Sequence, residues 1–177
     1  MQFAFISFFL LIFSGLSVAL GLPDATCMNS LSDVGKKAEQ ELWPVLNEKV
    51  CSRGYKLGAD DFPYVEKNLI IPLYRKWAEK GLKLPSYQKV VQPLVNSFVK
   101  DCVKKYNTDF CSKSDLEKVK GCAVSKGMEF VMGHMDYAEK YGNEANCQKF
   151  KAVLSDQSIW NWAKNAVRKF AKHVVKG

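Results

Sequence analysis

Several hallmarks of common enzyme classes are missing from this 177-residue sequence. It has no Gly-x-Ser-x-Gly elbow and no Cys-x-x-Cys pair of the kind found in redox and zinc sites. Its two histidines are His134 and His173. His134 is the one candidate general base, but Asp136 follows it by two residues, and residues two apart point to different faces of a helix. We therefore predict no enzymatic activity, no catalytic residue, no cofactor and no metal site.

Charged side chains are also missing from residues 1–21, which contain a long apolar run. Small residues close this run at Ser17, Ala19 and Gly21, a spacing that signal peptidase accepts. The run is short for a membrane anchor, and no later stretch is long and apolar enough to span a bilayer. We predict a signal peptide over residues 1–21, cleaved after Ala19 or Gly21. The mature protein is then secreted and extracellular, without stable membrane insertion.

Cysteines are few but even in number, and all of them follow the predicted signal peptide. They are Cys27, Cys51, Cys102, Cys111, Cys122 and Cys147. An even set in a secreted chain indicates disulfide bonds. Many pairings are possible, and the spacing alone leaves the choice open.

Two-residue alternation long enough for a β-sheet is absent, whereas helical periodicity runs through most of residues 22–177. The length fits one domain. We predict an all-α, disulfide-bonded, monomeric single domain over residues 22–177, with six or seven helices. Capping residues predict helix starts at Ser86, at Ser114 and at either Ser155 or Asp156. Pro72 predicts an interruption.

Four short segments carry a resemblance to a known family. They are Cys51-Ser52-Arg53-Gly54, Asp101-Cys102, Lys120-Gly121-Cys122 and Asp136-Tyr137-Ala138-Glu139. The acidic residue before a cysteine, the lysine near a second cysteine and the Asp-x-x-Glu one helix later resemble the odorant-binding-protein-like domains of the saliva of blood-feeding flies such as mosquitoes. The Cys-x-x-x-Cys of ordinary odorant-binding proteins is absent, so the resemblance is to a divergent relative.

The resemblance implies a helical pouch that sequesters a small host mediator, either a biogenic amine or a lipid, and so modulates host haemostasis or inflammation. It implies Asp136, Glu139 and Tyr137 as ligand-binding residues, because residues three apart share a helix face and two carboxylates can meet one ammonium group. A solvated acidic pair is the alternative interpretation. The implied disulfide bonds are Cys27–Cys51, Cys102–Cys122 and Cys111–Cys147.

Acidic residues are absent between Ile159 and Gly177, in a chain with 26 Lys and Arg against 18 Asp and Glu. Cations recur there every fourth residue, with one more beside the row: Lys164, Arg168, Lys172, Lys176 and Lys169. This stripe is either the solvated back of a docked helix or a surface for an anionic partner, such as a glycan, an anionic membrane or an acidic host protein. We expect no nucleic acid partner for an extracellular protein.

Overall fold

The computed structural model describes residues 37–38 and 40–175, except the side chains of 124, 128, 131, 135, 138 and 139. The predicted signal peptide, Cys27 and Lys176 lie outside these residues. Helix α1 covers residues 40–49, and residues 37 and 38 are also helical. Helix α2 consists of Phe62–Val65, a π-helical segment Glu66–Ile70 and Ile71–Glu79. Helix α3 consists of a π-helical segment Tyr87–Val91, then Gln92–Phe98 and a second π-helical segment Val99–Lys104.

The remaining helices are α4 (Lys113–Gly133), α5 (Met135–Tyr141), α6 (Glu144–Ser155) and α7 (Gln157–Val174). Short 3₁₀ turns at Cys51–Arg53 and Ala59–Asp61 join α1 to α2. No strand occurs among the described residues. The prediction of an all-α, disulfide-bonded domain is confirmed.

Two helices contain a wider π-helical turn that ends two residues before a proline. The segment Glu66–Ile70 precedes Pro72, and the segment Tyr87–Val91 precedes Pro93. A proline lacks the backbone N–H, and its ring collides with the carbonyl group four residues earlier. A π-helical turn changes the position of that carbonyl group, so the helix can continue through the proline. The predicted interruption at Pro72 is therefore wrong, since α2 stays continuous through it.

The side chains that cap α3 and α7 are those that the sequence predicts. The Ser86 hydroxyl accepts a backbone hydrogen bond at the start of α3. The Asp156 carboxylate accepts one from the N–H of Ser158 at 2.8 Å. Helix α4 instead begins at Lys113, so Ser114 lies within its first turn and the cap predicted there is wrong.

The hydrophobic core is built largely by α1, α2, α3 and α7, with α6 against one side. Trp160 is 1% exposed, and its indole N–H donates to the carbonyl of Leu154 at 2.7 Å. Trp162 lies two residues further along the same helix and is only half-buried. The buried face of α7 consists of Ile159, Trp160, Ala163, Val167, Phe170 and Ala171. These residues follow helical spacing, so the opposite face of α7 remains in solvent.

Two disulfide bonds join described cysteines. Cys51 bonds to Cys111, with Cα atoms 5.4 Å apart, and Cys102 bonds to Cys122, with Cα atoms 5.7 Å apart. Cys147 is also disulfide-bonded, to a partner outside the described residues. Disulfide bonds are typical of an oxidising compartment.

One of the three implied pairings, Cys102–Cys122, agrees with the structure, and the other two do not. The pairings Cys27–Cys51 and Cys111–Cys147 are wrong, since Cys51 bonds to Cys111. The physical reason is the docking of two loops: the backbone N–H of Phe110 donates to the carbonyl of Leu57 at 2.7 Å. This contact brings the turn after α1 against the turn before α4.

Candidate functional site

Helices α1 and α7 lie side by side and run in the same direction. Near their first turns, the Glu41 carboxylate accepts hydrogen bonds from the Gln157 amide at 3.0 Å and from the Lys164 ammonium group at 2.7 Å. Near their last turns, Lys49 and Arg168 line a common groove. The contacts thus advance along both helices together, and the two C-terminal ends meet on one side of the molecule.

An open groove of about 370 Å³ lies between these C-terminal ends. Its walls combine basic side chains with two small apolar ones. We call the lining residues the basic groove: Lys49, Arg53, Arg168, Ala171, Lys172 and Val175. Four of the six are cationic, so the fold brings four positive charges together around one concave surface.

Little of this charge is neutralised within the described residues. Arg53, Arg168 and Lys172 form no ion pair there. Lys49 lies 2.5 Å from the neighbouring Glu48 carboxylate. This hydrogen bond, with smaller contributions from Arg168 and Arg53, lowers the pKa of Glu48 below its usual value. Three of the four cations thus act on the Glu48 carboxylate, which offsets only part of the positive charge of the groove.

The predicted cationic stripe of α7 is divided by the fold. Arg168 and Lys172 line the basic groove, whereas Lys169 is exposed outside it. Lys164 is paired with Glu41 and belongs to the contact between α1 and α7. Lys176 lies outside the described residues.

Two residues of the groove, Lys49 and Arg53, were missed by the sequence analysis. Lys49 is the last residue of α1 and Arg53 follows that helix, so both lie far from α7 along the chain. Helical spacing compares residues only within one helix, so it cannot find a site formed by two. The available signal was Arg53 two residues after Cys51, because a disulfide bond nearby restrains the backbone that carries the charge.

The residues implied as a ligand site lie elsewhere, on α5. Asp136 is exposed and takes part in no ion pair among the described residues. The ring of Tyr137 is half-buried and stacks between His134, at 5.6 Å, and Tyr141, at 6.1 Å. The Glu139 side chain lies outside the described part. Their role in ligand binding stays a prediction.

A small apolar cavity lies between α1, α2 and α7. Its volume is about 20 Å³, which is room for a single water molecule. Small-molecule sites usually have roughly 300 to 1,000 Å³. Neither Asp136 nor Tyr137 is among its lining residues, which include Leu46, Leu57, Tyr64, Val65, Leu69, Val167 and Phe170. The pouch that the resemblance implies is therefore not found at this position.

No cluster of acidic, histidine or cysteine side chains that could hold a metal ion occurs in the described part of the chain. Over the same residues, no helix combines the length and apolar character that crossing a bilayer requires. No family model matches the sequence, and no curated protein and no solved structure is significantly similar to it.

Proposed function

We propose that this chain is a secreted, non-enzymatic protein that binds polyanions through the basic groove. The observation that carries this proposal is the set of four cationic side chains around one concave surface, of which Lys49 alone forms an ion pair among the described residues. Positive charge focused in a cleft attracts anions over distance and binds them on contact. The formal net charge of +8 acts in the same direction.

An alternative use of these cations is structural, because basic groups stabilise the negative end of a helix dipole. Lys172 lies in the last turn of α7 and serves that purpose as well. However, one cation per helix end satisfies the dipole, and grouped like charges repel each other. Four cations at two adjacent ends exceed that need, which favours an anionic partner.

The extracellular setting of this proposal is supported by the apolar N-terminal segment and by the disulfide bonds. The resemblance to odorant-binding-protein-like salivary proteins leads us to propose host-directed activity, in which a factor of haemostasis or inflammation is blocked. Sequestration of an amine or lipid has less support, since the cavity between α1, α2 and α7 is only about 20 Å³.

Chromatography on heparin-agarose tests the proposal with the full chain. We expect the double variant Arg168→Ala, Lys172→Ala to elute at clearly lower salt and to bind about 10-fold more weakly, because two screened contacts are lost. The matched control is Lys89→Ala, Lys113→Ala, which removes the same charge from exposed positions without ion pairs among the described residues. Equal elution of the two double variants would disprove a localised site.

A further inference from the structure

Resting on the proposed function, we infer that the basic groove recognises the sulfate esters of a glycan through the guanidinium groups of Arg53 and Arg168. The proposal thus concerns groups held in place and not net charge alone. The proposed ligand is a sulfated sugar chain. The two arginines are the residues that determine specificity for it.

The two guanidinium groups come from different elements and converge on one place. Arg53 belongs to the turn Cys51–Arg53, and Arg168 belongs to α7. Both act on the carboxylate of Glu48, whose pKa is lowered chiefly by Lys49 and further by these two charges. Both side chains also line the basic groove, so an anion bound there lies near both guanidinium groups.

The backbone that carries Arg53 and the side chain of Arg168 are also restrained before any ligand binds. The disulfide bond from Cys51 to Cys111 fixes the turn that carries Arg53. The Arg168 guanidinium group donates to the side-chain oxygen of Asn165 at 2.7 Å. That neutral partner occupies one donor and leaves the others available. Side chains that are already ordered lose less entropy when they bind.

Guanidinium chemistry suits a sulfate group. The planar guanidinium offers parallel N–H donors that match two oxygens of an oxyanion, whereas an ammonium group acts as a point charge. Lys49 and Lys172, which also line the groove, add attraction without geometric selection. The two arginines would therefore recognise a sulfate group by its geometry, and the two lysines would attract it by charge alone.

The shape of the groove favours a chain of sugars over a membrane surface. Its volume of about 370 Å³ lies at the low end of small-molecule sites. Ala171 and Val175 form an apolar part of the wall, on which the C–H face of a sugar ring can pack. A flat bilayer is instead bound by helices that present protruding apolar side chains.

The test conserves charge and removes only the guanidinium groups. Isothermal titration with a sulfated heparin tetrasaccharide compares the wild-type protein with Arg53→Lys, Arg168→Lys. We expect about 10-fold weaker binding in this variant. The control Lys89→Arg, Lys113→Arg should bind like wild type. Circular dichroism checks that both variants are folded, which we expect because all four positions are exposed.

Each possible outcome decides a different claim. Equal affinity of wild type and Arg53→Lys, Arg168→Lys would overturn recognition by guanidinium groups while leaving polyanion binding intact. Binding to phosphatidylserine vesicles but not to the tetrasaccharide would overturn the glycan as ligand. If wild type binds neither the tetrasaccharide nor heparin-agarose, the proposed function itself fails.

Discussion

At the residue level, the ion pair between Lys164 and Glu41 joins the first and last described helices. The ammonium nitrogen lies 2.7 Å from the carboxylate, and the two side chains are 21% and 23% exposed. Partial burial shields the pair from solvent and salt, so it contributes more than a fully exposed pair would. The hydrogen bond from Lys164 lowers the pKa of Glu41 below its usual value of 4.5.

We expect Lys164→Ala to lower the free energy of unfolding by about 0.5 to 1 kcal/mol at pH 7. Because the folded-state pKa of Glu41 is lowered, the pair stabilises the protein above the unfolded-state pKa. This contribution declines as the pH falls below about 4.5 and is lost as the pH falls through the lower pKa of Glu41 in the folded state. Urea unfolding at pH 7 and pH 3 measures it. A destabilisation of the same size at both pH values would contradict this account.

At the level of elements, the sequence predicts helix starts better than helix continuity. Capping is local, so Ser86 and Asp156 identify the first residues of α3 and α7 from their own hydrogen bonds. The course of the chain at Pro72 is not local. Leu69 and Leu73 on either side of it are both buried. Burial of both side chains favours one continuous helix, which a π-helical turn makes possible.

Asp156 connects the start of α7 to the end of α2. It accepts the Ser158 N–H and also binds the ammonium group of Lys80. The hydrogen bond from Lys80 first, and those from Ser158 next, lower the pKa of Asp156 well below its usual value. The charged carboxylate therefore stabilises the fold above the unfolded-state pKa, and this effect declines progressively as the pH falls from about 4 towards the lowered pKa of the folded state.

We expect Asp156→Ala to lower the thermal midpoint by a few degrees at pH 7, since both the cap and the charge are lost. Asp156→Asn keeps a capping oxygen but not the charge, so its midpoint should lie between those of wild type and Asp156→Ala. Scanning calorimetry between pH 2.5 and about 7 gives the comparison. An acid-induced loss in Asp156→Asn as steep as in wild type would show that another carboxylate is responsible.

At the level of the whole molecule, the candidate site is a product of tertiary structure. The sequence predicted the cations of α7, because their spacing lies within one helix. It could not place Lys49 and Arg53 beside them, since the disulfide bond that holds this turn joins Cys51 to Cys111, 60 residues away. The helical periodicity predicted the fold class, but contacts between residues far apart in the chain determined the groove.

The two described disulfide bonds should differ in both stability and function. In the loop-entropy description, closing 60 residues between Cys51 and Cys111 stabilises by about 4 kcal/mol, and closing 20 residues between Cys102 and Cys122 by about 3 kcal/mol. We expect Cys51→Ala, Cys111→Ala to lower the free energy of unfolding more than Cys102→Ala, Cys122→Ala. Guanidinium chloride unfolding of both double variants measures the difference.

Heparin retention distinguishes the two bonds more sharply than stability does. Removing the bond at Cys51 frees the turn that carries Arg53, so retention should fall even under conditions where the variant is folded. Removing the bond between Cys102 and Cys122, which joins α3 to α4 away from the groove, should leave retention unchanged. Equal retention of the two folded variants would mean that anions are held without a fixed Arg53, and net charge would then account for the binding.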